Sequence, residues 1–244
     1  MTPATTIGAL AQHAGGVVAA VRDAAARTGT DFGYLMAQAR VESGLNPRAQ
    51  ARTSSARGLY QFTSATWLET VRKHGAEHGL GWAADAIASG SARAGSAARD
   101  TILGLRDNAE AAALMAGEFA SDNAARLEKR LGRVAGATDL YMAHFLGAGG
   151  AVTFLGALAA APATVAASIL PAAAAANRPV FYHRDGSART VAEVYDRFAA
   201  KLGSKPLTPL TASAVSRPLS QGERVSVDAS RARLAYMLLA ELGG

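Results

Sequence analysis

From Leu140 to Asn177 the chain contains no Asp, Glu, Lys or Arg. A stretch that long without a charge has to be withdrawn from water, either in a protein core or in a lipid bilayer. Ala and Gly dominate it, and Pro162 and Pro171 interrupt it. Each proline removes a backbone donor and clashes with the preceding turn, so an unbroken spanning helix is not expected. The run therefore predicts several short buried helices and no transmembrane span.

The rest of the 244 residues points to the same fold class. Half of the chain (50%) is hydrophobic, much of that alanine, and only 6% is aromatic. Alanine favours helix, and the scarcity of alternating Val, Ile and Thr argues against a β-sandwich or barrel. The chain has no cysteine, which excludes disulfides, zinc–thiolate centres and a cysteine nucleophile. A net charge of +6 favours an anionic partner. The basic residues are scattered and not interleaved with aromatics, so no nucleic-acid partner is expected, which leaves anionic lipid or an anionic cell-wall polymer. The first residues, MTPATTIGALAQHAGG, have no basic leading region and make a poor signal peptide.

Periodicity and end signals place the helices. One is predicted from Ile7 to Thr28, ending at Gly29. Asp31 caps the next, whose stripe is Phe32, Leu35, Met36 and Ala39, and Gly44 with Asn46-Pro47 ends it. Ser64 is the expected cap of a helix through Trp67, Leu68 and Val71 to His74. A loop with a short helix follows between Ile87 and Asp100, then a long helix from Ala109 to Arg130, and one capped by Thr138 or Asp139. Further Ala-rich helices lead to a turn and a helix from Val191 to Leu202. Pro206, Pro209 and Pro218 mark a linker, and an amphipathic helix begins at Asp228. This divides the chain into an N-terminal helix (1–30) packing on a catalytic domain (31–203), and a linker with a terminal helix (204–244).

Glu42 is the residue that does not belong on its helix. It lies on the apolar side with Phe32, Leu35 and Ala39, at a C-terminus where the helix dipole is negative. Both effects disfavour the charged form, which suits a general acid working near neutral pH. The plain alternative is a last-turn glutamate reaching water.

Context favours the first reading. Glu42-Ser43, then Leu45-Asn46-Pro47, then TSSARGLYQF and a Trp-containing helix resemble the lytic transglycosylases of the soluble-lytic-transglycosylase, goose-lysozyme-like family. The resemblance implies a mainly α, lysozyme-like domain with a central substrate cleft between the Glu42 helix and the later helix bearing Tyr141 and His144. The crossing from Arg52 to Gln61 leaves room for a small β-hairpin. The resemblance also carries the catalytic acid/base role to Glu42 and a cleft-lining role to Gly58, Leu59, Tyr60 and Gln61. Gly58 would let backbone and glycan approach closely, and Gln61 offers a donor and an acceptor to a sugar. Ser54 and Ser55 match the small hydroxyl residues ahead of that glycine.

A second block, LYMAHFLGAGGA, matches at Ala143 and Gly147 but has His144 where tyrosine is usual and Phe145 where asparagine is. The substrate-orienting group is therefore either Tyr141 or His144, and for His144 a core histidine is an equal alternative. The longer match looks like the phage- and flagellum-associated branch of proteobacteria, with Asp107-Asn108 where many members have Asp-Pro.

Neither block supplies a second carboxylate, and Glu69, Glu77 and Asp85 read as surface charges. That favours cleavage of the bond between N-acetylmuramic acid and N-acetylglucosamine in peptidoglycan strands by one carboxylate, closing a 1,6-anhydro ring, with no metal or cofactor. A water-using muramidase of the same fold and a non-catalytic wall-binding or assembly module are the alternatives. The expected setting is periplasmic or cell-wall associated. The terminal helix is the candidate dock for a flagellar, secretion or phage structural protein.

Overall fold

The computed structural model describes residues 3–52 and 54–203, with side chains from Gly15 onward. The linker and terminal helix expected after Gly203 lie outside the described residues. Two compact units divide the chain between Ala125 and Arg126, inside a continuous helix where the sequence carries no linker signal.

The first unit begins with α1 (Pro3–Thr28) and α2 (Phe32–Ser43). Asp31 caps α2 as its residue type predicts, its Oδ1 accepting from the Tyr34 N–H at 2.7 Å. At the other end Gly44 adopts φ 59° and donates back to the carbonyls of Ala39 and Arg40, which closes the helix. The buried face differs from the expected stripe at two positions: Leu35 and Ala39 are inside, but Met36 is only half-buried and Phe32 is 37% exposed, with the Arg22 guanidinium 5.8 Å from its ring centre. Tyr34 and Gln38 take the place of Phe32 on the inner face.

After a crossing come α3 (Ser64–His74), a 3₁₀ turn (Gly75–His78), α4 (Gly81–Ala88) and α5 (Ala97–Gly104). The cap of α3 is Thr63, accepting from Thr66 N–H at 3.1 Å, so Ser64 is the first helical residue and not the cap. Trp67, fully buried, donates its indole N–H to the Ile102 carbonyl at 2.7 Å and ties α3 to α5. A second 3₁₀ turn (Leu105–Asp107) leads to α6 (Ala109–Leu131).

Asn108 starts α6, its Oδ1 accepting from Ala111 N–H at 2.9 Å. Proline at the start of a helix presets φ, whereas asparagine satisfies an orphan donor, and either chemistry begins α6 here. Replacing Asn108 by alanine is expected to destabilise the fold by about 1 kcal/mol, read as a lower denaturant midpoint with an unchanged slope. Gly117 of α6 packs against the end of α1, where an added Cβ would lie 2.3 Å from Thr28 Oγ1.

The second unit is built on α7 (Ala137–Ala160), followed by α8 (Ala166–Ile169), α9 (Pro171–Ala176), α10 (Arg178–Phe181) and α11 (Val191–Lys201). Asp139 acts from the third position of α7, not as its cap. Its buried carboxylate accepts from Gly136 N–H at 3.0 Å, from Arg133 at 2.6 Å and from the Tyr195 hydroxyl at 3.0 Å. Three donors on one carboxylate satisfy it in the core. Pro162 follows the end of α7 and Pro171 opens α9, as expected of both.

Among the described residues α7 is the one helix long and apolar enough to cross a membrane. It is kinked at Gly147, and Tyr141, Met142, Phe145, Phe154 and Leu155 are buried. Phe198 of α11 meets Tyr141 and Phe145 at ring-centre distances of 5.6 and 4.9 Å.

No strand occurs among the described residues. The hairpin allowed in the Arg52–Gln61 crossing is reduced to isolated antiparallel bridges, Gln50 with Arg57 and Arg57 with Phe62. The ladder stops there because the chain between them is spent on a tight turn at Gly58–Gln61.

Candidate active site

Glu42 is 1% exposed, on the last turn of α2. Tyr34, Gln38 and Glu42 stand four residues apart and form one buried stripe. Burial pushes the Tyr34 phenol well above its ordinary value, and the nearby Glu42 carboxylate and Tyr60 add to the shift. Burial alone does the same to Tyr60. A carboxylate and two phenols thus share a water-poor region in which each phenol stays protonated. Tyr34 and Gln38 were not singled out from sequence, although their i, i+4, i+8 spacing with Glu42 was there to be read.

Ser43 joins this stripe to the crossing. Its hydroxyl lies 2.8 Å from the Leu59 carbonyl and 3.1 Å from that of Ala39. The serine of the Glu-Ser pair therefore clamps the end of α2 onto the Gly58–Gln61 turn, placing Tyr60 and Glu42 on opposite sides of one contact. Removing it as Ser43→Ala should cost about 1 kcal/mol and lower turnover more than substrate affinity, measurable by a thermal melt and by initial rates on purified cell wall.

The turn is held from within. Gln61 is 1% exposed and takes φ 47°, a left-handed conformation unusual for glutamine. Its Nε2 donates to the carbonyls of Gly58 at 2.8 Å and Ala49 at 3.1 Å, which offsets that strain. The amide donor expected to serve a sugar is engaged inside the turn.

Gly58, at φ 85°, is needed for a different close approach from the one expected. A Cβ there would lie 1.9 Å from the backbone oxygen of Arg106. It is the protein's own backbone that occupies the space. Ser54 and Ser55 also serve the crossing: Ser54 Oγ accepts from Ala56 N–H at 3.3 Å and Ser55 Oγ from Ser64 N–H at 3.2 Å.

Two arginines complete the frame. Arg106 is buried and donates to the carbonyls of Leu103, Ser55 and Phe62 at 2.8, 2.6 and 3.1 Å. Burial lowers its pKa from the usual guanidinium value, an effect the nearby Arg57 reinforces. Arg57 pairs with Asp107 through two nitrogens, and that hydrogen bonding raises its own pKa. None of these residues was a sequence candidate, because Arg106 holds the carbonyls of Ser55 and Phe62, and Arg57 the Asp107 carboxylate, from more than forty positions away.

Hydrogen-bonding capacity is left over in this region. Among the described residues, the Tyr60 hydroxyl, Gln38 Oε1 and Gln61 Oε1 are buried without a partner. Such groups are uncommon in folded proteins and call for a ligand or water.

Tyr141 and His144 belong to the second unit. Tyr141 is fully buried in its core, and its ring lies nearly parallel to that of the half-buried His144 at 5.8 Å. Glu69, Glu77 and Asp85 are all exposed, and Glu69 is paired with Arg72 at 2.6 Å.

The segment that carries Glu42, Ser43 and the whole Gly58–Gln61 turn is also the segment with a recognisable relationship. Residues 19–86 match the family model of the transglycosylase SLT domain, so this part of the chain is similar to the domain of peptidoglycan lytic transglycosylases, and the match supports that activity in general.

Proposed function

We propose that the protein cleaves the β-1,4 bond between N-acetylmuramic acid and N-acetylglucosamine with Glu42 as its single general acid/base, leaving 1,6-anhydro-muramoyl ends. The observation that carries this reading is the buried position of Glu42 beside Tyr34, at a helix end clamped to the Gly58–Gln61 turn. Glu42 gives its proton to the bridging oxygen as the glycosidic bond breaks. The resulting carboxylate then takes the proton of the muramoyl C6 hydroxyl, whose oxygen attacks the anomeric carbon and closes the anhydro ring. Protons balance within one turnover, and the substrate supplies the nucleophile.

A glycosidase that activates water normally needs a second carboxylate across the bond. Glu69, Glu77 and Asp85, the carboxylates that follow Glu42 in the matched segment, are exposed, which favours the one-carboxylate route over hydrolysis. The unpartnered Tyr60 hydroxyl and Gln38 and Gln61 carbonyl oxygens are the groups suited to hold sugar hydroxyl or acetamido groups. The net charge of +6 suits an anionic wall.

Mass spectrometry of a peptidoglycan digest tests the proposal. Anhydro-muramoyl ends are expected. Reducing muramic ends would establish a hydrolytic muramidase, and no release of fragments would leave a wall-binding module. We further assign the activity to local wall opening, in the periplasm or at the wall, during assembly of a flagellum, secretion system or phage.

A further inference from the structure

His74 closes α3, His78 closes the 3₁₀ turn that follows, and both face α6. From α6, Glu118 and Asp122 point back at the same spacing of four residues. Glu118 Oε1 lies 2.7 Å from His78 Nε2 and Glu118 Oε2 lies 3.2 Å from His74 Nδ1. Asp122 Oδ2 is 3.1 Å from His74 Nε2, while its other oxygen is held by Lys73 Nζ at 2.5 Å. Glu77, exposed at the rim, brings a carboxylate oxygen to within 4.8 Å of ligand atoms of both His74 and Glu118. None of these residues belongs to the candidate active site.

The proton positions follow from chemistry. Arg27 Nη2 lies 3.2 Å from His78 Nδ1, and a guanidinium only donates. His78 Nδ1 therefore accepts from Arg27, and its Nε2 faces Glu118. His74 gives an N–H to Asp122 through Nε2. With Nε2 turned to Asp122, His74 Nδ1 faces Glu118 Oε2 at 3.2 Å.

Something positive has to lie between them. Charge points the same way, because Glu77, Glu118 and Asp122 outnumber Lys73 and Arg27, and Arg27 is shared with Asp23 at 3.4 Å. The requirement is met either by a second proton on His74 or by a metal ion.

We infer that His74 Nδ1, Glu118 and Glu77 bind a divalent transition-metal ion of the zinc class, which clamps the α3 end and the 3₁₀ turn onto α6. An imidazole with two carboxylates is a donor set that suits zinc and similar ions better than calcium or magnesium. The surroundings are those a bound ion requires. The ligating histidine donates its other nitrogen to a carboxylate, Asp122, and the ligating Glu118 is itself oriented by His78. Glu77 at the exposed edge leaves room for water to complete the coordination. The ion is structural, and the proposed glycan chemistry does not use it.

The test is calorimetric titration of zinc chloride into the full chain, untagged and stripped with chelator. The expected result is uptake of one zinc per chain and a rise in melting temperature. Glu77→Gln, a change at an exposed position, should weaken binding about tenfold or more, and Asp122→Asn about 10- to 100-fold through the orientation of His74. Cobalt loaded in place of zinc should give visible absorption bands that Glu77→Gln alters.

Two results would overturn the inference. Absence of zinc uptake and of any melting shift would mean that the cluster is held by its hydrogen bonds and charge pairs alone. Uptake that Glu77→Gln and Asp122→Asn leave unchanged would place the ion elsewhere.

Discussion

Replacing Glu42 by glutamine is expected to lower the rate of wall digestion by about 10²- to 10⁴-fold, the range a positioned general acid/base contributes. Glutamine keeps the shape and the hydrogen-bonding reach of the side chain but cannot give a proton to the bridging oxygen or take one from the C6 hydroxyl. Because Glu42 is buried beside the Tyr34 phenol, the neutral amide should be tolerated in the fold. The melting temperature of Glu42→Gln should therefore stay within a few degrees of wild type while release of soluble muropeptides collapses. Activity retained within a factor of a few would show that another group handles the proton. Loss of folding would instead make Glu42 a structural member of its stripe. The two effects are read separately, by product release and by a thermal melt.

The second large effect is expected at Gly58, and it is structural first. Alanine there would have to hold φ 85° and place its methyl 1.9 Å from the Arg106 carbonyl oxygen, which is backbone and cannot swing away. The left-handed conformation costs an L-residue about 1–2 kcal/mol, and forcing atoms into filled space adds about 1–3 kcal/mol. A melting temperature lower by roughly 5–15 °C is expected for Gly58→Ala. The chain can avoid the clash only by lifting the turn off the second 3₁₀ segment. That would disturb Leu59, and with it the Ser43 clamp on the end of α2. Activity should therefore fall further than unfolding alone explains, when assayed well below the new melting temperature. A Gly58→Ala protein with wild-type stability would mean that the turn does not approach Arg106 as closely as described.

The helical frame was legible in the sequence because its signals are local. Asp31 and Gly44 bound α2, Gly29 follows α1, Pro171 opens α9, and the helix from Val191 ends within a residue of its expected limit. Each of these depends on hydrogen bonds or backbone preferences within one turn, so the sequence alone suffices. Where two adjacent residues could do the same job, the outcome shifted by a position or three: Thr63 caps α3 in place of Ser64, and Asp139 reaches back from inside α7.

Glu42 was legible for a related reason, since its charge conflicts with the apolar stripe on which the helical period places it. The rest of the site depends on long-range contact. Ser54, Ser55, Gly58 and Gln61 came from resemblance, and the structure gives each an architectural partner that no local pattern announces. Arg106 reaches the carbonyls of Ser55 and Phe62, and Arg57 meets Asp107. The cluster of His74, Glu77, His78, Glu118 and Asp122 also exists only because α6 lies against the end of α3.

By itself, then, the sequence determined most of the helical segments and several of their ends, and that a misplaced carboxylate closes the second of them, but it did not announce α4 (Gly81–Ala88). Only the tertiary structure decided what each polar side chain of the crossing touches. The physical reason is that a cap or a helical stripe is set by neighbours along the chain, whereas a buried donor takes whichever acceptor packing brings within about 3 Å. For Gly58 that neighbour is the backbone of Arg106, and for Ser43 the carbonyl of Leu59.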